Sequence, residues 1–338
     1  MSSNKEIPLR LNIMKRRIYN KYFFSLTCTF VFALPSNAFA DASDWIKGST
    51  HPPHHSTRHV ETNISAEFFT IGDSKLNNGN AQVGTSGVVI EGEYEKNEMF
   101  ISYGYEQWNY NWANSEAAPF ISGTNRVPWS TFNVLQFGIG YEQEKGNWEL
   151  SYFFDVESSF EKEMSGSSEY EIGANFSYEP SLEWSYTFSI SAEYQDAPGG
   201  ELELGGGLEI EWNHDKKDGW SGEVELEDEF PEISMSYHFI RQISTTLFYN
   251  EGGTNAVRLS DTSPVAVAGM QGGYVEDSYK GFGARLRYEF SHESYVLFSL
   301  QKNTGRTLTV EDGLGNETGA TYRFEDTVQA TFGLSYTF

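Results

Sequence analysis

Apolar side chains fall at every second position over long runs of the chain. Leu135, Phe137, Ile139 and Tyr141 alternate with Gln136, Gly138, Gly140 and Glu142. Trp148, Leu150, Tyr152, Phe154 and Val156 alternate with Glu149, Ser151, Phe153, Asp155 and Glu157. Val88, Ile90, Gly92 and Tyr94 do the same against Val89, Glu91, Glu93 and Glu95, as do Trp184, Tyr186, Phe188, Ile190, Ala192 and Tyr194 against Ser185, Thr187, Ser189, Ser191 and Glu193. A period of two belongs to strands that show one kind of side chain to each face. Many runs are nine to thirteen residues long. A strand in a soluble protein usually has about 5–6 residues, whereas a tilted strand crossing a bilayer needs about 9–11.

The connections also alternate. Short turns lie at 96–97, 145–146, 180–181, 214–219, 240–242 and 291–293, and longer segments at 109–129, 250–277 and 302–322. Short turns at one end and long loops at the other predict an all-β, transmembrane, antiparallel up-and-down barrel of about fourteen strands, within a range of about 12–16. The first strand is expected near 60–71, and 221–250 divides into three. An even count puts both termini on the short-turn, periplasmic side. Trp148, Trp184, Trp212 and Trp220 flank short turns, and Trp108, Trp112 and Trp129 flank or occupy one long loop. Indole rings favour membrane–water interfaces, so two girdles at the strand ends are expected.

The chain ends in "TVQATFGLSYTF". A closing Phe338, Tyr336 two before it, and Leu334, Phe332 and Val328 further back, with Ala330 a weaker match, resemble the C-terminal signal of bacterial outer-membrane β-barrel proteins, the porin-like class. The resemblance implies that the last strand is read by the barrel-assembly machinery and pairs with the first. It also implies contact with outer-membrane lipids and lipopolysaccharide.

The other end reads differently. Residues 14–40, "MKRRIYNKYFFSLTCTFVFALPSNAFA", have a basic start, an apolar run and Ala-Phe-Ala. That is the layout of a cleaved secretory signal peptide, with Met14 as the expected start, so residues 1–40 are expected to be removed. Residues 41–59 then form a histidine-rich periplasmic tail ahead of a barrel over 60–338. The single cysteine, Cys28, falls inside the leader, which excludes a disulfide framework in the remainder. With 23 Lys+Arg against 48 Asp+Glu the net charge is −25, a balance that repels nucleic acid. Aromatics at 16% exclude the disordered class that such charge often marks.

The polar face carries the candidate chemistry. Glu91, Glu93, Glu95, Glu149, Glu203, Glu209, Glu211, Glu223 and Glu225 all lie on it, with glycine and serine between them. A water-filled lumen lined by carboxylates concentrates cations and rejects anions. Arg285 and Arg287 share the inner face of a late strand. They either face the acids across the pore as a transverse field or neutralise adjacent glutamates. The apolar "PVAVAGMQGG" of the longest loop either constricts the pore or extends the flanking strands as a hairpin, and the hairpin is favoured. Trp112 and Trp129 are expected to anchor at the interface.

Four of the seven histidines, His51, His54, His55 and His59, fall within nine residues, a composition that can bind zinc, copper or nickel. No other cofactor is indicated. Beyond the tail, His238 has Ser236 at i−2 on the same strand face, which is thin ground for a nucleophile and base, and no enzyme is expected. The reading is a passive, cation-preferring channel for small cationic or polar solutes, with a plugged structural or surface-interaction barrel as the alternative.

Overall fold

The computed structural model describes residues 60–338 apart from positions 78, 97 and 182 and the segments 119–126, 197–201, 214–217, 228–231, 263–270, 292–293 and 312–316. The expected leader and the histidine tract lie outside the described residues. Fifteen strands follow in order: β1 (Val60–Lys75), β2 (Gln82–Lys96), β3 (Met99–Ala113), β4 (Thr131–Lys145), β5 (Trp148–Phe160), β6 (Ser168–Ser181), β7 (Trp184–Gln195) and β8 (Leu202–Trp212), then β9 (Gly219–Glu227), β10 (Glu232–Ile240), β11 (Ile243–Arg258), β12 (Tyr274–Ser291), β13 (Ser294–Glu311), β14 (Glu317–Arg323) and β15 (Thr327–Thr337).

Every sequential neighbour from β1 to β13 pairs antiparallel; β13 then pairs with β15, and β15 with β1. The ring is closed and contains fourteen strands. β14 stands outside it, paired with the far end of β13. Closure leaves no sheet edge, the condition for burying backbone polar groups in lipid. β1 begins and β15 ends at the edge of the ring where the tight turns lie.

The outward face is apolar. Phe68, Phe137, Phe188, Leu204, Phe282 and Phe332 are all more than half exposed. At the short-turn end Trp148, Trp184, Trp212 and Trp220 stand at the outer surface, with Trp148 4.4 Å from Tyr178 and Trp220 4.9 Å from Tyr237. At the opposite margin Lys302 pairs with Asp326 at 2.8 Å, both exposed.

Strand lengths are unequal. β9 and β10 have 9 residues each, whereas β12 and β13 have 18. At about 3.4 Å per residue and a tilt near 40°, the short pair reaches about 23 Å along the barrel axis, close to the ~25 Å apolar band of an outer-membrane barrel. By the same arithmetic the long pair reaches about 47 Å and projects well beyond that band. The expected loops are therefore partly strand. β3 runs on to Ala113, β11 to Arg258 and β13 to Glu311, and β12 begins at Tyr274. The hairpin expected from "PVAVAGMQGG" is present in its flanks, while most of that stretch lies outside the described residues.

Three β-bulges sit on these projecting ends. The register slips between Ile71 and Ser74 on β1, between Thr254 and Val257 on β11, and on β13 where Ser278 and Lys280 face Thr307 and Thr304. An extra residue in one strand reverses which face the following side chains occupy. After the slips Leu76, Val257, Leu259, Leu308 and Val310 all turn inward and are buried. Gly305 makes the β13 slip with φ 65°, in the left-handed region that glycine enters without penalty.

The seam between the first and last strands is regular. Ile64 faces Tyr336, Phe68 faces Phe332, and the Phe338 N–H donates to the Thr62 carbonyl at 2.9 Å. Phe338 meets Tyr336 edge-on at 4.7 Å. Deleting Phe338 removes the last bond of the closing seam together with that ring pair. It is expected to reduce the yield of heat-modifiable folded barrel far more than Phe137→Leu, an outward mid-barrel change costing at most about 1 kcal/mol. Equal folded yields of the two variants on gels would show that Phe338 is ordinary outer surface.

Candidate functional site

Contacts that span the barrel identify its inner face. The Tyr110 hydroxyl donates to Asp277 Oδ2 at 3.2 Å, from β3 to β12. Arg306 on β13 donates through Nε to Asp277 Oδ1 at 3.0 Å, and through Nη2 to Asp277 Oδ2 at 2.6 Å and to Thr85 Oγ1 of β2 at 2.9 Å. Both members of the ion pair are fully buried. Burial alone lowers the proton affinity of the guanidinium, but the Asp277 carboxylate more than restores it, so Arg306 is held charged.

An apolar core surrounds this pair at the long-loop end. Phe69 and Ile71 of β1, Val83 of β2 and Phe132 of β4 pack with Val257 and Leu259 of β11, Val275 of β12 and Leu308 of β13. The tryptophans expected to anchor this end at the membrane interface belong to the core instead. Trp108 and Trp129 are buried, and Trp112, partly buried, donates its indole N–H to the Trp129 carbonyl at 3.0 Å. Trp129 stacks on Phe132 at 5.5 Å, and Trp108 lies 4.5 Å from Phe69. The reason is strand parity. Trp108 and Trp112 share the face of Tyr110, which points inward. The second girdle is thus a mouth filling, and among the described residues the short-turn Trp set alone lies on the outer surface.

Below the mouth the inner face is polar. By register every sequence-assigned carboxylate lies on it: Glu91, Glu93 and Glu95 on β2, Glu149 on β5, Glu203, Glu209 and Glu211 on β8, and Glu223 and Glu225 on β9. Glu93, Glu95 and Glu149 face Ser102, Phe100 and Ser177, and the remaining acids form two groups. Glu91 is buried beside β1 and β3, where Glu67 and Glu106 join it. The second group stands in rows across neighbouring strands. Asp155 faces Glu171, which faces Glu193, which faces Glu203. Glu209 faces Glu225, which faces Glu232, and Glu211 faces Glu223.

Arg285 and Arg287 do not form a separate wall. The Arg285 guanidinium lies 5.3 Å over the Phe248 ring and is within electrostatic reach of both Glu67 and Glu223. Arg287 stacks 3.6 Å over Tyr295. Of the two roles open to the arginines, this placement fits local neutralisation of the Glu67 and Glu223 sides.

Sequence reasoning missed Glu67 and Glu106, although the alternation of 63–71 carries Glu67 on the same face as Ser65. It also paired His238 with the wrong serine. The ring Nε2 of His238 lies 3.3 Å from Ser221 Oγ on the adjacent strand, whereas Ser236 bonds Thr246 at 2.7 Å. At the short-turn rim Glu142, Glu144 and Glu149 bring carboxylate oxygens within 4.8 Å of one another, the spacing of hard-cation ligands.

No protein-family profile and no curated protein matches the chain. Similar solved structures are bacterial outer-membrane barrels. A deletion mutant of the monoaromatic hydrocarbon channel TodX is 10% identical, with a TM-score of 0.48 over 84% of this chain and 91% of that one. A Pseudomonas aeruginosa FadL homologue is 10% identical, with a TM-score of 0.41 over 82% and 90%. An outer membrane channel from Pseudomonas putida F1 is 8% identical, with a TM-score of 0.37 over 85% and 100%. At these values the likeness is one of barrel architecture, and no residue role or solute transfers with it.

The mouth yields a direct test. Asp277→Ala leaves the Arg306 charge buried without its carboxylate, a change that costs about 3–5 kcal/mol. The loss is expected to appear as protease cleavage and fast hydrogen exchange in the projecting ends of β11 to β13, with the membrane band intact. Replacing both partners by apolar residues, Asp277→Leu with Arg306→Met, is expected to recover most of the protection. Equal loss in both variants would show that the charge pair is not what holds the mouth.

Proposed function

We propose that the protein is exported to the bacterial outer membrane, with both termini periplasmic, and serves there as a cation-preferring channel for small cationic or polar solutes. The observation that carries this reading is the set of carboxylate rows on the inner face. Like charges directly opposite one another on neighbouring strands destabilise a sheet. A face that needed only to be wet would be served by the serines, threonines and asparagines that flank them. Four acids in one row and three in another make sense where the field they generate is used. Such a field, focused by low-dielectric walls, raises the local concentration of cations and depresses that of anions.

The second reading is a non-conducting barrel that supports the envelope or presents a surface. The apolar core around Arg306 and Asp277 favours it, because that core fills much of the long-loop mouth. Conductance separates the two readings.

In planar bilayers under a salt gradient, the wild-type protein is expected to show a reversal potential of cationic sign. Screening confines each charge to about 8–10 Å at ordinary salt, so the preference should weaken as salt is raised. Changing Glu209, Glu211, Glu223 and Glu225 together to Gln is expected to move the reversal potential toward zero without abolishing conductance. An anion-preferring wild type would overturn the selectivity, and a protein that inserts but never conducts would leave the structural reading standing.

A further inference from the structure

The inner face of β1 and β2 gathers oxygen atoms that neither the mouth core nor the carboxylate rows use. Register places Ser65 of β1 directly opposite Glu91 of β2, and Glu67, two residues along β1, opposite Val89. On the other side of β2, Val89 faces Glu106 of β3. Ser65, Glu67 and Glu91 are 1%, 4% and 6% exposed. The Ser65 hydroxyl has no hydrogen-bond partner among the described residues. Glu106 has one oxygen committed, since the Trp108 indole N–H donates to its Oε2 at 3.0 Å.

The charges here do not balance from within. Glu91 lies within electrostatic reach of both Glu67 and Glu106, a set of like charges. Arg285 reaches Glu67, while the Arg287 guanidinium is engaged over the Tyr295 ring at 3.6 Å. Buried charge persists where it is paired or where it holds a metal. The spacing allows the second. As a directly opposed pair, Ser65 and Glu91 have Cβ atoms about 5 Å apart, and Glu67 is diagonal to Glu91 at about 7–8 Å. A point among the three lies about 4 Å from each Cβ, a gap that a carboxylate or a hydroxyl spans at metal–oxygen distances of about 2.3–2.6 Å. Glu67 leans toward β15, where a Cβ added to Gly333 would lie 3.2 Å from its Oε1. Rotation about its side-chain bonds brings the carboxylate back over that point.

We propose that Ser65, Glu67 and Glu91 bind one calcium ion on the inner wall, with Glu106 adding its second oxygen through water. The donors are all oxygen, the preference of a hard cation. Calcium suits the place better than magnesium, which gives up its water reluctantly and demands a near-octahedral shell that fixed strand spacing does not offer. The ion ties β1, a member of the closing seam, to β2, and it neutralises acids that otherwise repel one another. Its role is to brace the wall. The site stands apart from the channel reading, because a barrel that carries no current binds the ion equally well. It is also separate from Glu142, Glu144 and Glu149 at the short-turn rim.

The test uses the full chain refolded in detergent, with Glu144→Gln and Glu149→Gln present throughout to silence the rim group. Terbium, which luminesces when an excited indole lies close by, stands in for calcium. Emission excited through tryptophan is expected, displaced by calcium and lost in Trp108→Phe, because the Trp108 indole is bonded to Glu106. Calcium is expected to raise the temperature at which the heat-modifiable folded form disappears, magnesium to raise it less, and chelator to remove the gain. Glu91→Gln is expected to weaken calcium binding by about tenfold or more, because ligand charge sets the affinity of an oxygen site. In chelator the same variant is expected to be more stable than its parent, since it relieves like-charge repulsion, and in calcium less stable. Glu67→Gln replaces it if it does not fold, with the same crossing expected. Ser65→Ala is expected to match the parent in chelator and to lose part of the calcium gain. An equal calcium response in the parent and the Gln variant overturns the site, as does emission that survives Trp108→Phe. No calcium response at all also overturns it, and is the result expected of acids that shed their charge by protonation.

Discussion

The buried pair of Arg306 and Asp277 is the constraint around which the outer end of the barrel is built. Placing two ions where neither touches water costs several kcal/mol per ion unless each is fully engaged. Asp277 meets the cost with a two-pronged hold from Arg306 and a third bond from Tyr110. Arg306 adds Thr85. Those partners come from β2, β3, β12 and β13, so satisfying two side chains fixes two arcs of the wall relative to each other. Apolar packing alone would tolerate many arrangements of the same residues, whereas a charge pair with directional bonds tolerates few. The pair thus sets the geometry, and the surrounding core supplies most of the apolar burial.

The pair can form only because the strands break their own alternation. On an unbroken β13 the inward face would carry residue 305 and its odd-numbered neighbours, and Arg306 would point outward. The slip at Gly305 turns it in, and those on β1 and β11 turn in Leu76, Val257 and Leu259 at the same end. One residue inserted per strand is sufficient, because the side-chain period is two. The same device explains why the projecting hairpins lean over the lumen instead of standing as a taller cylinder. A bulge increases local twist and bends the strand that carries it.

The membrane-band part of the fold was legible in the sequence, and the mouth was not. Alternation such as 148–156 and 328–338 follows directly from one face meeting an apolar medium and the other meeting polar groups, so strand number and inner-face residues could be read. Even Phe153, an aromatic on the polar face, fits once its ring is seen to lie over Gly173, where an added Cβ would collide. The mouth obeys a different rule. Its stretches mix threonine, asparagine and glycine with isolated apolar residues, which reads as loop, and an inserted residue erases the period that would have revealed a strand. Trp108, Trp112 and Trp129 were misassigned for the same reason, since nearness to a loop says nothing about which side of the wall a ring faces. The pairing of Arg258 on β11 with Phe160 on β5 was beyond reach, because it depends on the relative heights of strands six positions apart around the ring.

The division of the lumen follows from these two regimes. Where the mouth core is anchored, on β1–β4 and β11–β13, the inner face beneath it must be tightly filled, and the carboxylates there survive only by sharing space with Arg285, Arg287 and Tyr295. Among the described residues the mouth core takes no side chain from β5–β10, and there acids stand directly opposite acids on neighbouring strands. Within a soluble core such rows would be selected against, since each opposed pair is unfavourable. Along a wet wall the cost falls, because water and mobile cations screen the charges over about a Debye length. The rows lie on the side of the wall that holds the shortest strands of the ring, β9 and β10, and they combine a buried member, Glu225, with partly exposed ones such as Glu193 and Glu209.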